Sequence, residues 1–370
     1  MSSRAAATTE EPPARTPRAR LVAEAERLGF EAIGFARADV ALEDDFARYE
    51  AFVARGMHGE MQWLAALPEA RRRVDGEHIL PGAKTVICLA RRYGRADDPE
   101  APIARYARGR DYHNGMRKKL RKLAALARTL GGEGEAVQAR PLCDEEPILE
   151  RAWAARAGLG FVGKNGLLIV PGVGSFVLLG EVVTTLAIEP AATMTERCGS
   201  CTRCLDACPT EAFVAPWVLD PRRCIAYLTI EHRGAIAPEL RPAIGEHLFG
   251  CDDCQTVCPF NATKRANGPL DPRFAPEPRW AESETPLAAM LALDDEGFVR
   301  LREGSPVGRA TRAGLARNAA IVLGNRLNKK IQENSNDPSV VPALERASAE
   351  HDSPVVREAA AWALARLASR

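Results

Sequence analysis

Cys198-Gly-Ser-Cys201-Thr-Arg-Cys204-Leu-Asp-Ala-Cys208-Pro209 and its companion Cys251-Asp-Asp-Cys254-Gln-Thr-Val-Cys258-Pro259 decide how this chain is organised. Cys224 stands between the two runs. Thiolates are soft, strong donors for iron, and cysteines spaced by two residues let one loop wrap three corners of a cubane. In two-cluster ferredoxins the fourth cysteine, the one before proline, ligates the other cluster. Applied here, that crossing gives one 4Fe–4S cluster to Cys198, Cys201, Cys204 and Cys258, and a second to Cys208, Cys224, Cys251 and Cys254. Zinc also uses paired C-x2-C spacings, but rarely a four-cysteine run closed by proline.

Upstream of Cys198 the pattern predicts a mixed α/β domain over 21–190. Leu21–Leu28 has helical spacing, and Ala32–Phe35 and Thr85–Ala90 are short apolar runs that read as buried strands. Asp111–Leu130 is basic with helical periodicity, and Glu146–Ala157 is a second helix closed by Gly158. A hairpin is expected to join Leu167–Val170 to Phe176–Leu186 around Pro171-Gly172-Val173-Gly174. Residues 1–20, rich in Ala, Pro, Arg and Thr, read as a disordered tail.

Downstream, the cysteine module is expected over 191–266 and a proline-rich linker over Asn267–Pro286. Residues 267–370 comprise that linker and helices. Arg317-Asn-Ala-Ala-Ile-Val-Leu323 is echoed by Arg357-Glu-Ala-Ala-Ala-Trp-Ala363 forty positions later, an offset within the HEAT-type period. A plain Ala-rich bundle gives the same pattern. Asp337-Pro338 and Ser353-Pro354 supply helix starts.

The 370 residues are 46% apolar and 27% charged, with 50 Lys plus Arg against 49 Asp plus Glu, so bulk charge gives no argument for nucleic acid. No apolar run is long enough to span a bilayer, and no secretory h-region opens the chain. The expectation is a cytoplasmic protein whose ten cysteines are reduced. Cys88, inside Val86-Ile87-Cys88-Leu89, and Cys143 read as packed thiols.

Two clusters alone make a small ferredoxin. The long segment before them implies a redox centre or substrate site to which they deliver single electrons. No G-x-G-x-x-G opens a helix, so nothing supports a Rossmann site. Gly160-Phe-Val-Gly163-Lys164-Asn165-Gly166 lacks P-loop spacing; it reads as a tight turn, or as backbone approaching a flat or anionic ligand. Asp144, in Asp144-Glu-Glu-Pro147-Ile-Leu-Glu150-Arg151, reads either as a helix N-cap or as a carboxyl whose pKa desolvation raises, fit to donate a proton.

These pieces together resemble the epoxyqueuosine reductases of tRNA modification, over most of the chain. The match is carried by Leu80-Pro-Gly-Ala-Lys84, Tyr106-Ala-Arg-Gly-Arg-Asp-Tyr-His113, Asp144 to Arg151, Ala157 to Asn165, Gly174-Ser175-Phe176, both cysteine runs and Cys224 to Glu231. The resemblance implies an α+β multidomain protein: a nitroreductase-like cobalamin domain, a ferredoxin-like module with two 4Fe–4S clusters, and C-terminal HEAT-like helices. It implies reduction of the epoxide of epoxyqueuosine to the alkene of queuosine at the tRNA wobble position. Asp144 is the implied proton donor, with Arg73, Asp144, Lys164, Asn165, Ser175, Asp252 and Gln255 around the cobalamin. Two positions depart from the pattern: Ala226 stands where a serine is usual, and Asp111-x-His113-x-Gly115 misses the D-x-H-x-x-G cobalt-ligand spacing, so His113 reads as a surface or helix-start residue.

The implied partners are the tRNA anticodon loop and an external one-electron donor, with a monomer expected for want of a coiled-coil seam. Candidate tRNA contacts are Arg117, Lys118, Lys119, Arg121, Lys122, Arg222, Arg223, Arg302, Arg309, Arg312, Arg317, Arg326, Lys329 and Lys330, with Tyr227 and Phe260 for stacking. Two readings compete: a reductive dehalogenase with the same cofactors, and a non-catalytic iron–sulfur electron-transfer protein.

Overall fold

The structure is a computed structural model and describes residues 16–281, 287–332 and 338–368. Its centre is a four-stranded antiparallel sheet. The strands are β1 (Ala32–Arg37), β2 (Thr85–Arg92), β3 (Ala139–Leu142) and, later in the chain, β6 (Val177–Thr184), in the order β1-β2-β6-β3. Alternation along β2 makes the two faces. Ile87 and Leu89 point to α1 (Pro17–Arg27) and α4 (Tyr112–Arg128), whereas Val86, Cys88 and Ala90 point to α5 (Glu150–Arg156). The helices α2 (Glu43–Ala54) and α3 (Pro68–Arg72) precede β2. Cys88 and Cys143 are buried, as packing predicts.

Three expectations are corrected. The stretch 1–20 is not all tail: Thr16 accepts the amide of Ala19 and Pro17 opens α1, while residues 1–15 lie outside the described residues. The helix expected from Glu146 begins only at Glu150. Asp144 adopts a left-handed φ of 57° and makes no cap, and Pro147 disfavours a helical residue before it. The expected hairpin does not form. Both edges of β6 are taken by β2 and β3, so β5 (Leu168–Ile169) pairs instead with β4 (Phe161–Val162). The turn between β4 and β5 carries Lys164 and Asn165. Gly160 lets this hairpin close, because a Cβ there would stand 2.0 Å from the carbonyl oxygen of Ile169.

The cysteine module has little regular structure: α6 (Arg203–Asp206), β7 (Phe213–Ala215), β8 (Val218–Leu219), α7 (Ile225–Ile230), α8 (Arg241–Ile244) and α9 (Asp253–Thr256). The expected linker is anchored where described. Arg92 donates to the carbonyls of Arg265, Ala266 and Pro269, and Arg91 pairs with Asp271.

Then follow α10 (Pro278–Ala281), α11 (Leu287–Met290), α12 (Asp295–Arg302), α13 (Arg312–Gln332), α14 (Val340–Glu350) and α15 (Pro354–Ala368). The two echoing segments lie on α13 and α15, which pack so closely that a Cβ at Gly324 would meet that of Ala363 at 2.8 Å. Asp337 lies outside the described residues. These helices share one apolar core with Ile225, Leu228, Ile244, Leu248 and Phe249 of the cysteine module. No helix among the described residues is long and apolar enough to cross a membrane.

Candidate active site and iron–sulfur centres

The eight cysteines gather into two adjoining sets. Burial raises the thiols of Cys198, Cys204 and Cys258, and smaller repulsions tie them to one another and to Cys201. Burial likewise raises Cys224, Cys251 and Cys254, which repel one another and Cys208. Cys204 also acts on Cys254, so the sets are neighbours. Each set draws on both runs. Thiols crowded together in low dielectric resist ionising unless a cation compensates them, the condition of an iron site. His247 adds a ring nitrogen 3.8 Å from Cys251 Sγ and 3.1 Å from an Asp253 oxygen.

A buried polar seam joins this module to the sheet domain. Ser175 Oγ donates to Gln255 Oε1 at 3.1 Å and accepts from Asn261 Nδ2 at 3.0 Å. Gln255 Nε2 reaches Tyr93 at 3.3 Å and Asp252 at 3.4 Å. Asp252 accepts the backbone N–H and a guanidinium N–H of Arg105 at 2.8 and 3.2 Å. Lys164 Nζ donates to the carbonyls of Gly199 and Cys201, and Asn165 Nδ2 stands 3.5 Å from that of Cys254. Five of the predicted cofactor residues therefore line one seam. Arg73 does not join it: its guanidinium is taken by Asp75, through two bonds of 2.7 Å.

From the seam, Tyr93, Tyr106 and Tyr112 stand edge to face at 6.4 and 6.3 Å, and the last reaches Asp144. Tyr112 donates to Asp144 Oδ2 at 2.5 Å, and His113 Nε2 lies 3.4 Å from the same oxygen. Desolvation pushes the Asp144 carboxyl up, but the His113 and Tyr112 bonds outweigh it and hold the group below its ordinary value. The expectation of a raised pKa is thus corrected: Asp144 rests ionised. His113 is raised to about 9, first by its bond to Asp111 and then by Asp144, so it carries the proton at neutral pH. Tyr112 and His113 as Asp144's partners were missed from sequence, although Asp111 capping α4 places both beside it.

Other candidates separate. Arg317 is buried and bonds the carbonyls of Leu228, His232 and Gly234, so it is no surface contact. Tyr227 is also buried, its hydroxyl accepting the amide of Glu60. Lys118, Arg121, Lys122, Arg222, Arg223 and Arg302 are exposed. Arg117 pairs with Glu145, Lys119 bonds the Leu28 carbonyl, Arg312 pairs with Asp295 and Asp352, and Arg326 with Glu246. The side chains of Lys329 and Lys330 lie outside the described residues. Phe260 packs edge to face on Phe161. Arg309 pairs with Glu231, acts on the charge of Asp144, and covers exposed Trp63 at 5.9 Å. Trp63 was also missed.

Fold and site together define an iron–sulfur oxidoreductase in which a two-cluster module packs against an α/β domain. Residues 197–261 match the family of 4Fe–4S double cluster binding domains, and residues 73–145 match epoxyqueuosine reductase QueG, DUF1730. The chain is 40% identical over 358 residues to the epoxyqueuosine reductase of Xanthomonas campestris pv. campestris, covering 94% of this chain and 95% of that one. It is 41% identical to that of Pseudomonas aeruginosa, covering 92% and 91%. A solved epoxyqueuosine reductase with a tRNA-Tyr epoxyqueuosine-modified stem loop superposes with TM-score 0.82 at 30% identity, over 95% and 90% of the chains. That of Streptococcus thermophilus gives 0.82 at 29%, with the same coverage. The chain belongs to the epoxyqueuosine reductase family, which sets aside the dehalogenase and non-catalytic readings.

Proposed function

We propose that this protein reduces the epoxide of epoxyqueuosine, at the wobble position of tRNA, to the alkene of queuosine, the final step of queuosine biosynthesis. The observation that carries the reading is that a two-cluster electron module and a loaded proton site, His113 with Asp144, are joined in one chain by a continuous polar and aromatic seam. Epoxide removal consumes two electrons and two protons and releases water. The clusters pass electrons singly. Cys198, Cys201, Cys204 and Cys258 hold one cluster in this reading, and Cys208, Cys224, Cys251 and Cys254 the other.

Cobalamin is the group the family resemblance implies, and the residues present fit it. The amide nitrogens of Asn165 and Gln255 make only long bonds, 3.3 to 3.5 Å, so their N–H groups remain available to a ligand fringed by carboxamides. Asn165, Ser175, Gln255 and Asp252 would hold it, with Lys164 bracing the turn; Arg73 is left out. When bound, the cobalamin supplies a centre that pairs single electrons for attack on a strained carbon–oxygen bond. Asp144 receives a proton from His113 and passes it to the oxygen on which charge develops, where general acid catalysis helps most. Tyr112 holds the carboxyl in place.

The substrate is single-stranded at the anticodon loop, where recognition uses stacking and cationic contacts. Trp63 with Arg309, and the exposed Lys118, Arg121, Lys122, Arg222 and Arg223, are the groups offered to it. The architecture in this reading is a nitroreductase-like domain over 21–190, a ferredoxin-like module over 191–266 and HEAT-like helices after the linker. The protein works as a cytoplasmic monomer with an external one-electron donor. The test is anaerobic turnover of tRNA carrying epoxyqueuosine, read by mass spectrometry of the nucleoside. Asp144→Asn should keep iron and cobalamin but lose most turnover; full turnover by that variant removes Asp144 from its role.

A further inference from the structure

Behind Asp144, on the face of the sheet covered by α5, two more carboxyl groups are enclosed. Glu181 sits in the middle of β6, opposite Cys88 of β2 and Leu142 of β3, without solvent exposure. Among the described residues, neither of its oxygens meets an N–H or O–H donor. Glu150, at the start of α5, turns its carboxyl onto Glu181, and its Oε1 also accepts the backbone N–H of Asp144 at 3.1 Å.

Among the described residues no cation hydrogen-bonds either carboxyl, although Arg151 acts on the charge of Glu150. From α5, Arg151 turns away to the carbonyl of Gly166, and the indole N–H of Trp153 is unpartnered. From β2 and the end of β3 come the thiols of Cys88 and Cys143, both pushed up by burial. From α4, Arg117 is held by Glu145. Asp144 contributes a negative charge.

An enclosed carboxyl with no donor cannot stay ionised, so it must itself be the donor. Glu181 therefore rests protonated and gives its O–H to Glu150. Burial and the charge of Asp144 raise Glu150, while the Asp144 backbone N–H, the charge of Arg151 and the bond from Glu181 oppose the rise, in that order. The result is a carboxyl that takes up and releases a proton beside Asp144.

We propose that Glu150 reloads Asp144 with a proton during turnover, and that Glu181 is the neutral partner that keeps Glu150 exchangeable. The inference rests on the reading that Asp144 faces the epoxide. Both carbon–oxygen bonds to the epoxide oxygen break, the carbon–carbon double bond forms, two electrons arrive through the clusters, and two protons leave with the oxygen as water. Asp144 rests ionised, so both protons pass through it: one from His113 and one from Glu150, whose carboxyl, raised to about 7, holds a proton before the step and is left ionised, accepting from Glu181, after it. A store is needed because substrate covers the Asp144 carboxyl, whose side chain is 54% exposed in its absence. Once product leaves, that exposed face restores both protons from solvent. Glu150 and Glu181 are positioning residues, acting through Asp144.

The test uses the reconstituted enzyme. Glu150→Gln keeps an acceptor for the Asp144 amide. It should lower kcat by roughly tenfold or more and erase the alkaline limb that Glu150 imposes on the pH profile, with KM for the modified stem loop and iron content unchanged. Glu181→Leu, which removes the donor, should move that limb to higher pH; Glu181→Gln, which retains an N–H, should restore its position. Infrared spectra of the resting protein should show a protonated carboxyl that exchanges slowly in heavy water and is lost in Glu181→Gln. A Glu150→Gln enzyme with the wild-type profile, beside an inactive Asp144→Asn, overturns the inference and leaves the functional reading standing. Wild-type protein that never reduces the modified tRNA overturns the functional reading instead. A resting spectrum without the carboxyl band sinks the protonated partner in either case.

Discussion

Replacing His113 by Phe keeps a ring against Tyr112, with which the imidazole stacks at 4.2 Å, and removes the only group in that position able to carry charge. In the native chain the imidazole rises from its ordinary 6.5 to about 9, chiefly through Asp111 and then Asp144. A shift of that size is a preference for the charged form of about 3 kcal/mol. The side chain is 26% exposed, so solvent screening brings the usable part to about 2 kcal/mol. The depressed pKa values of Asp111 and Asp144 express the same contacts and add nothing further. Because the folded pKa lies above the unfolded one, this stabilisation is fully present below pH 6.5 and is lost as pH rises through about 9. Histidine NMR titration should show one ring titrating near 9 that is missing from His113→Phe. The urea midpoint of the native chain should fall between pH 6.5 and 9.5, and that of the variant should change less. With its cation gone, the Asp144 carboxyl should rise toward the neutral range. A ring titrating near 6.5, or equal pH dependence in both proteins, refutes the reasoning.

Arg317→Leu leaves the carbonyls of Leu228, His232 and Gly234 buried without their donor; it should cost at least about 3 kcal/mol, read as a lowered melting temperature and faster proteolytic release of α13 to α15. Cys198→Ser and Cys258→Ser should abolish the same cluster signal in paramagnetic resonance, and Cys208→Ser the other; loss of one signal by Cys258→Ser and Cys251→Ser together contradicts the crossed ligand sets. Gly34→Ala puts a methyl 2.1 Å from the Ala157 carbonyl oxygen, a clash of backbone with backbone that should destabilise the sheet domain by about 3 kcal/mol in thermal unfolding.

What the sequence made legible is what short-range chemistry determines. The cysteine spacings, the apolar run Thr85–Ala90 and the helical spacing of Asp111–Leu130 each depend on residues a few positions apart. What it hid depends on partners far along the chain. Asp144 is held ionised by residues some thirty positions earlier, and nothing local to Asp144-Glu145-Glu146 signals that. The expected hairpin failed because β6 had already been claimed on both edges by β2 and β3, a fact of sheet order rather than turn chemistry. Arg317 read as a candidate tRNA contact because a buried guanidinium differs from an exposed one only in its remote carbonyl partners. One hidden residue did leave a mark. A glutamate inside Val177-Leu-Leu-Gly-Glu181-Val-Val-Thr184 contradicts the apolar strand around it, and a carboxyl that the fold retains at such a site calls for a use.

On the proposed reading, the position of Asp144 lets one carboxyl meet both halves of the chemistry. β3 is an edge strand of four residues and stops at Leu142, where the chain is released from the sheet. Leu142 belongs to the core under α5 and Cys143 to the core under α4, so the next residue stands where the two faces meet. On the α4 face the tyrosine ladder runs from Gln255, beside the second cysteine set, to Asp144. On the α5 face the Glu150–Glu181 pair reaches the Asp144 backbone. A longer β3 would pin Asp144 into one face and cut it from the other. Two further ladder pairs, engineered by lengthening β3, should therefore leave both clusters reducible while uncoupling their oxidation from loss of the epoxide.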